Sequence, residues 1–425
     1  MVGLPVIEEV IARDGAVGLV GLAQDGAQTI PETLSRVSVG DRRFLVYPPT
    51  AGFDILPDIE NVSDFAIEPN VFFTPHFSIP ALPRLDEKHV RLMVLQDGTR
   101  DNPMTRFLMP FTVEKPGFAM GPSIARAWVH PYGPFGVPLI ERREAHQIID
   151  DLFSTLALPQ VELPKILVLP DVPTDSKSVS ILRSVAIGNG LPVTSTVPVK
   201  RSVLDATQDS ELYFHDSLSG HHRRNYNRLW RQMQERGELA YEIARAPDQV
   251  RLALEEFLLL ENKGWKGEKR TSLSSDRFRG AFAREAVNNL AARDKCRIHS
   301  LTLDGEVVAS LIVFIDANKA WTWKTAYDED LKALSPGVLL MMRVTETLMD
   351  DPNVLFADSC ALPDHPVMSR LWSQEQSMTT LVIGMLPELD RDVRKVATQL
   401  ELYSSTRNFA KSMQRRLKSM AGKRR

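Results

Sequence analysis

The sequence predicts an α/β protein with α+β character, in which a mixed sheet flanked by helices occurs twice and the first copy is degenerate. Three observations carry this. The second half orders its elements as β-α-α-β-β-β-α-β, the first half repeats the later part of that order, and 425 residues are too many for one average core. Laid against each other, Asp97-Gly98 matches Asp304-Gly305 and Ala127-Trp128 matches Ala320-Trp321. "PFGVPLI" matches "SPGVLLM", and "ILVLPDVP" falls near "VLFADSCALPD". An insertion before Trp128 changes the spacing, so the shared order argues for a repeat more than the identities do.

Each element has a local reason. "LAYEIAR" from Leu239 alternates as a strand, and "DQVRLALEEFLLLENKGW" has the apolar spacing of a helix. A second helix, "SDRFRGAFAREAVNNLAARD", starts at the capping residues Ser275 and Asp276. "CRIHSLTL" and "EVVASLIVFID" flank Asp304-Gly305, a strong short-range hairpin signal. "KAWTWKTAY" forms a third strand, a helix opens at Ser335-Pro336-Gly337, and "NVLFADSCA" and "SMTTLVIGML" are strands before a long terminal helix. In the first half "HVRLMVLQ" and "RFLMPFTVE" flank Asp97-Gly98, followed by "ARAWVHPYGPFGVPLI", the helix "RREAHQIIDDLFSTLAL" and the strand "KILVLPDVP". The expected domains are a degenerate copy over 1–200, a basic connecting helix over 201–237, the better-preserved copy over 238–400, and a basic helix and tail over 401–425.

Composition excludes several classes. With 51 basic against 54 acidic residues, the chain is not a general nucleic-acid binder, and DNA is not an expected partner. The N-terminus mixes acids and Gly among its apolar residues and does not read as a leader peptide, and no run of about 18 apolar residues suggests a membrane span. Cys296 and Cys360 have no paired spacing, and the nine His residues lack metal-site spacing, so neither disulfides nor a metal is expected. These features describe a soluble protein of a reducing compartment, expected in the cytoplasm.

The sharpest local feature is Ser335-Pro336-Gly337. Ser can cap a helix and Pro suits its first turn, but Gly inside that turn costs about 1 kcal/mol relative to Ala. A Gly is understandable there if something approaches the backbone closely, and bare N–H groups at a helix start favour an anion such as phosphate. A well-capped core helix with a tolerated Gly is the plainer alternative. The first copy has Pro134 and Pro138 at the matching place, which suits a rigid packing or substrate loop and not a phosphate site.

At Ser335-Pro336-Gly337 the chain resembles the GNAT acyltransferases, in the branch of doubled CelD-like or BioF2-like acetyltransferase domains related to the Fem aminoacyltransferases. "HPYGPFGVPLI", "ENKGWKG" and "DSCALPDHPVMSRLW" share in the resemblance, which covers about Arg91 to Leu400 and is strongest from Leu239 onward. It implies that acyl-CoA, acetyl-CoA in the simplest case, enters between two splayed strands. Its arm would lie along "KAWTWKTAY" with Trp323, and its phosphates near Ser335, Pro336, Gly337, Val338 and Leu339. The loop before this helix departs from the usual pattern, with one Gly and Lys332 where more Gly and basic residues are common.

Amide formation from a thioester needs an uncharged amine, a path for its proton and a donor to the oxyanion, with no metal. Asp358, at the end of "NVLFADSCA", is the candidate base or amine-positioning residue, a turn carboxylate being the alternative. His365 is a second catalytic candidate, and Tyr327 a hydrogen-bond donor to the leaving thiolate. Cys360 reads as packing, not as a nucleophile. Trp265, Lys266 and Asp364 are candidate substrate contacts, the first two because the resemblance places their segment on the acceptor side. The expected function is N-acyl transfer from acyl-CoA to an amine of unknown size. Alternatives are Fem-like transfer from aminoacyl-tRNA, or a non-catalytic accessory role in envelope polysaccharide synthesis. The basic helices "HHRRNYNRLWRQMQER" and "RNFAKSMQRRLKSMAGKRR" offer surfaces for tRNA or an anionic membrane, including the inner face of the cell membrane.

Overall fold

The structure, a computed structural model, describes residues 35–39, 42–85, 89–98 and 102–422, with the side chains of 35, 36, 39, 58 and 407 onward outside that description. The N-terminal stretch read for a leader, the tail beyond Gly422 and the basic side chains of the last helix from Arg407 fall outside it too. The first half contributes strands β1 (Ser35–Val39) and β2 (Arg42–Tyr47), helices α1 (Leu56–Asp64) and α2 (Pro75–Leu85), then β3 (Arg91–Gly98), β4 (Pro103–Glu114), β5 (Ile124–Ala127) and β6 (Leu139–Ile140). Helix α3 (Ala145–Ala157), β7 (Ile166–Pro173), α4 (Lys177–Gly188), β8 (Val193–Ser195) and β9 (Val199–Asp205) complete it. Two helices, α5 (Ser210–Ser217) and α6 (Gly220–Gln234), lead to the second copy. That copy runs β10 (Leu239–Ala244), α7 (Pro247–Lys263), α8 (Trp265–Glu268), α9 (Arg277–Ala291), β11 (Cys296–Leu303), β12 (Glu306–Asp316) and β13 (Lys319–Tyr327). It closes with α10 (Pro336–Asp350), β14 (Phe356–Asp358), α11 (Met368–Leu371), β15 (Gln374–Gly384) and α12 (Asp390–Gly422). Among the described residues no helix is long and apolar enough to cross a membrane.

The strands join in one mixed sheet of order β1-β2-β3-β4-β5-β7-β15-β9-β14-β13-β12-β11-β10, with β6 on β4 and β8 on β15. The order reads as two similar halves. In each, an antiparallel hairpin leads to a strand (β5 or β13) that pairs in parallel with the strand after the following helix (β7 or β14). The halves then trade their closing strands. β9 of the first pairs with β14 of the second, and β15 of the second pairs with both β7 and β9. The boundary expected at 200/201 therefore cuts a strand. The connecting helix expected over 201–237 is instead the end of β9 followed by α5 and α6, because Val203 and Leu204 are buried in the sheet.

The alternation of the strands builds two apolar layers. Trp321 and Trp323 of β13 share one layer with Phe77 of α2, Phe257 of α7 and Phe282 of α9. Ala320, one residue out of phase, shares the other with Tyr226 and Leu229 of α6 and Leu340 and Val344 of α10. A fully buried Leu or Phe of this kind contributes about 1.5–3 kcal/mol. The hairpin signals are realised: Asp304 (φ 51°) and Gly305 (φ 83°) form the left-handed turn that suits strand twist, and Gly98 has φ 81°.

One sequence correspondence is corrected. "PFGVPLI" is not the counterpart of "SPGVLLM", since residues 134–138 form no helix and only Leu139–Ile140 joins the sheet. Pro134 and Pro138 disfavour a helix there, and the first copy's helix begins at Ala145. The structural partner of Ser335 is Glu144: both precede their helix in left-handed backbone, with φ 52° and 55°, and neither caps it with its side chain. Ser335 thus starts α10 through its carbonyl, which accepts from the N–H groups of Val338 and Leu339, and not through the hydroxyl expected from the sequence.

Candidate active site

Strands β13 and β14 pair for only three residues, Lys319–Trp321 against Phe356–Asp358. Past Trp321, β13 continues to Tyr327 with β12 as its one partner strand among the described residues, while the chain beyond Asp358 turns away through Cys360, itself left-handed at φ 51°. The two strands therefore diverge, tied near the fork by Thr322 Oγ1 donating to the Ser359 carbonyl at 2.9 Å. A bulge sits beside the fork. Thr322 faces Val313 and Lys324 faces Ile312, so Trp323 is the extra residue, and the shift turns Lys324 onto the same face as Trp321 and Trp323.

The opposite wall comes from the first copy, from the loop that contains "HPYGPFG". Trp323 Nε1 donates to the Tyr132 carbonyl at 2.7 Å, and Lys324 Nζ lies 4.4 Å from the centre of the Tyr132 ring. Lys319 Nζ lies 4.4 Å from the Phe135 ring and 5.0 Å from Phe356. Arg201, on the exchanged strand β9, donates through Nη1 to the Pro134 carbonyl at 3.1 Å and to Asp358 Oδ2 at 3.4 Å. Asp358 is fully buried, and its Oδ1 accepts from the Cys360 N–H at 2.8 Å. The same loop presses on its own copy: Gly136 packs so tightly on the Pro170 carbonyl that a Cβ would lie 2.0 Å from the oxygen. It fills the space beside β7 that matches the open fork in the second copy.

Burial dominates the electrostatics. It pushes Lys324 down to about 8, aided by the nearby Lys266 and opposed by Glu261. It lowers Lys319 as well, against the pull of Asp358. His130 is held at about 3 by burial and by Lys324, so its ring is neutral at physiological pH. Burial also raises the Cys360 thiol, as does Asp358, which disfavours the thiolate and agrees with a packing role. Burial alone would lower Arg201, but Asp358 and Asp171 outweigh it, and the guanidinium stays charged.

The depressed Lys324 has a consequence for stability. A folded value near 8, against about 10.4 for a free lysine, costs stability below pH 8, and that cost is relieved as pH rises toward the free value. We expect Lys324→Met to be more stable than the parent at pH 7 by about 2 kcal/mol, discounted for partial exposure, with the advantage shrinking by pH 10. Urea unfolding at both pH values tests this. An advantage that does not change with pH would assign the gain to packing alone.

The structure distributes the sequence candidates over three places. Asp358 and Trp323 meet at the fork. Tyr327 and the segment Ser335–Leu339 meet at its mouth, where the Tyr327 ring lies against Gly337. A Cβ on Gly337 would approach Tyr327 Cδ1 to 3.2 Å, so this ring is one reason for glycine in the first turn. Lys266 also borders the mouth, donating to Glu261 Oε1 at 2.8 Å and to the Thr325 carbonyl at 3.0 Å. Trp265 is exposed, its N–H donating to Glu329 Oε1 at 2.6 Å. Asp364 and His365 lie apart on the exposed loop after Cys360, where His365 Nδ1 accepts from the Met368 N–H and so caps α11.

Sequence reasoning missed Arg201, Lys319, Lys324 and Tyr132. The signal for the two lysines was present, since "KAWTWKTAY" carries charged residues on an otherwise apolar strand. Among the described residues no cluster of three or more His, Cys, Asp or Glu could hold a metal. A depression of about 490 Å³ lined by Arg245, Gln249 and Asp294 lies at the other end of the strands, beside the start of β11.

A sheet with a diverging parallel pair, a bulge beside the fork and a helix starting at its mouth is the architecture of the GNAT acyltransferases, and the chain carries that fold twice. Residues 220–354 match the family described as acetyltransferase (GNAT) domain. No curated protein matches the sequence. Among solved structures, the chain is similar to the C-terminal domain (DUF2156) named for a lysylphosphatidylglycerol synthetase of Agrobacterium fabrum. Identity is 11% and the TM-score 0.50, over 82% of this chain and 96% of that one. FemX aligns at 9% identity and a TM-score of 0.49 over 78% and 96%. A tandem GNAT protein from the clavulanic acid biosynthesis pathway aligns at 13% and 0.37 over 81% and 99%. At these identities the likeness is one of fold.

Proposed function

We propose that the second copy transfers an acyl group, acetyl in the simplest case, from acyl-CoA to an amine. The observation that carries this reading is the fork between β13 and β14, which leaves one edge of a strand open beside the helix start at Gly337. A thioester lying along β13 would present its carbonyl near the bulge. The uncharged amine attacks that carbon, the C–N bond forms and the C–S bond breaks. Asp358, held by Arg201, takes the proton or orients the amine, and Tyr327 at the mouth donates to the departing sulfur. Ser335 to Leu339 would meet the phosphates, with Trp323 along the arm and Trp265 and Lys266 on the acceptor approach; Asp364 and the second catalytic candidate, His365, would act only from their separate loop after Cys360.

Transfer from aminoacyl-tRNA is the second reading. It is favoured by α6, which packs beside α10 with Arg224, Arg228 and Arg231 exposed. An anionic membrane surface would suit the same face.

Thermal melting with CoA, acetyl-CoA and longer acyl-CoAs tests the first reading. A ligand at 100 times its Kd stabilises by about 2.7 kcal/mol, a shift of several degrees. Gly337→Ala should keep the shift, because the Tyr327 ring can yield by a few tenths of an ångström, and Gly337→Asp should abolish it by placing a carboxylate at the phosphate position. No shift with any CoA would overturn the acyl-CoA reading and favour binding of aminoacyl-tRNA at α6.

A further inference from the structure

Lys324 has a charge that the folded chain does not answer. Its half-buried ammonium lies 4.4 Å from the centre of the Tyr132 ring and 6.0 Å from that of Trp323, with part of its surface open to solvent. Among the described residues no carboxylate, carbonyl or hydroxyl accepts a hydrogen bond from it. The charged groups around it are already matched to each other. Lys266 is bonded to Glu261, whose second oxygen accepts from the Leu273 N–H at 2.8 Å. His130 is neutral and its Nδ1 takes the Tyr132 N–H, and the Cys360 thiol is protonated. Asp358, the nearest buried carboxylate on the neighbouring strand, is engaged by Arg201.

An ammonium carries three donors, and with two aromatic rings as its neighbours those donors are left for solvent or a ligand to accept. The bulge at Trp323 is what brings it here. A regular strand would have turned Lys324 to the opposite face, toward Ala320 and the α10 layer. The backbone irregularity and the unanswered charge thus point to the same place, on the open side of the fork.

We propose that Lys324 binds a carboxylate of the substrate, so that the fork selects a reactant bearing a negative charge a short distance from the reacting atoms. The proposal rests on the acyl-transfer reading for its substrate but not for its site. The carboxylate belongs either to the acyl group, as in a dicarboxylic monoacyl thioester, or to the acceptor, as in an amino acid. Tyr132 and Trp323 supply apolar walls for the carbon chain, and the neutral His130 adds no competing charge.

The test uses the full chain and Lys324→Met, which keeps the length and apolar contact of the side chain while removing its charge. Succinate and uncharged succinamide are first compared by thermal melting at constant ionic strength. Succinate should stabilise the parent protein and not the variant, and succinamide neither. Succinyl-CoA is then compared with butanoyl-CoA, and glycine with methylamine in the presence of CoA. A preference of about tenfold for the charged member of one pair, lost in Lys324→Met, supports the site and identifies which reactant carries the carboxylate. Equal binding within both pairs, with CoA itself bound, overturns the proposal, as does a preference that survives in Lys324→Met. If no CoA compound binds, the acyl-CoA reading fails on its own and the succinate comparison decides the carboxylate site.

Discussion

Asp358→Ala is expected to destabilise the protein by about 3–5 kcal/mol, the cost of leaving a buried guanidinium without its partner. Arg201 is almost fully buried, its Nη1 bonds Asp358 and the Pro134 carbonyl, and nearby charge keeps it protonated. Removing Asp358 also frees the Cys360 N–H, whose left-handed residue begins the divergence from β13. Asp358→Ala combined with Arg201→Met should recover a large part of the loss, because no unpaired buried charge remains. Urea unfolding of the two variants separates the cases. A single variant within about 1 kcal/mol of the parent, or a double variant no better than the single, would show that the ion pair does not hold the floor of the fork.

Gly136→Val should be nearly as damaging, at about 3 kcal/mol, for a reason of space alone. Its Cβ would be driven into the Pro170 carbonyl, a backbone group that no rotamer change can move aside. The loop would have to lift from β7, weakening its contact with the second copy, Trp323 Nε1 to the Tyr132 carbonyl, and its hold on Arg201 through the Pro134 carbonyl, beside Asp358. We therefore expect a lowered melting temperature together with weaker ligand binding at a fork more than a hundred residues away in sequence. Melting curves with and without ligand check both. A destabilised variant whose remaining folded fraction binds ligand as the parent does would show that the wall is dispensable for binding.

Much of the second copy was legible because its signals are local. Asp304-Gly305 specifies a tight turn by conformation, and the 3.6-residue apolar spacing of α7, α9 and α10 needs no knowledge of partners. The repeat was legible through its strands, and misaligned where similarity of short strings replaced geometry. "PFGVPLI" and "SPGVLLM" share letters, but two prolines keep one out of a helix while the other starts one. Asp358 could be named from its place at a strand end. Arg201 could not, since "VKRSVLD" gives no hint that β9 lies beside β14. Lys324 required a bulge, which depends on how β12 and β13 register and leaves no mark on composition. The residues that escaped sequence reasoning are therefore those whose roles are set by pairing between distant segments.

The traded strands, β9 and β15, bear on how such a protein can change over time. A gene carrying two independent domains can lose or replace one of them. Here β14 of the second copy loses one of its two neighbours without residues 199–205, and β7 of the first loses one of its two without residues 374–384. The degenerate copy is thus bound to its sibling by backbone hydrogen bonds that neither can supply alone. Once its own opening has been filled by the loop around Gly136, it is free to diverge everywhere except where it serves the other half. Arg201 and Tyr132 show what that freedom produces, with residues of the degenerate copy serving as one wall of its neighbour's cleft.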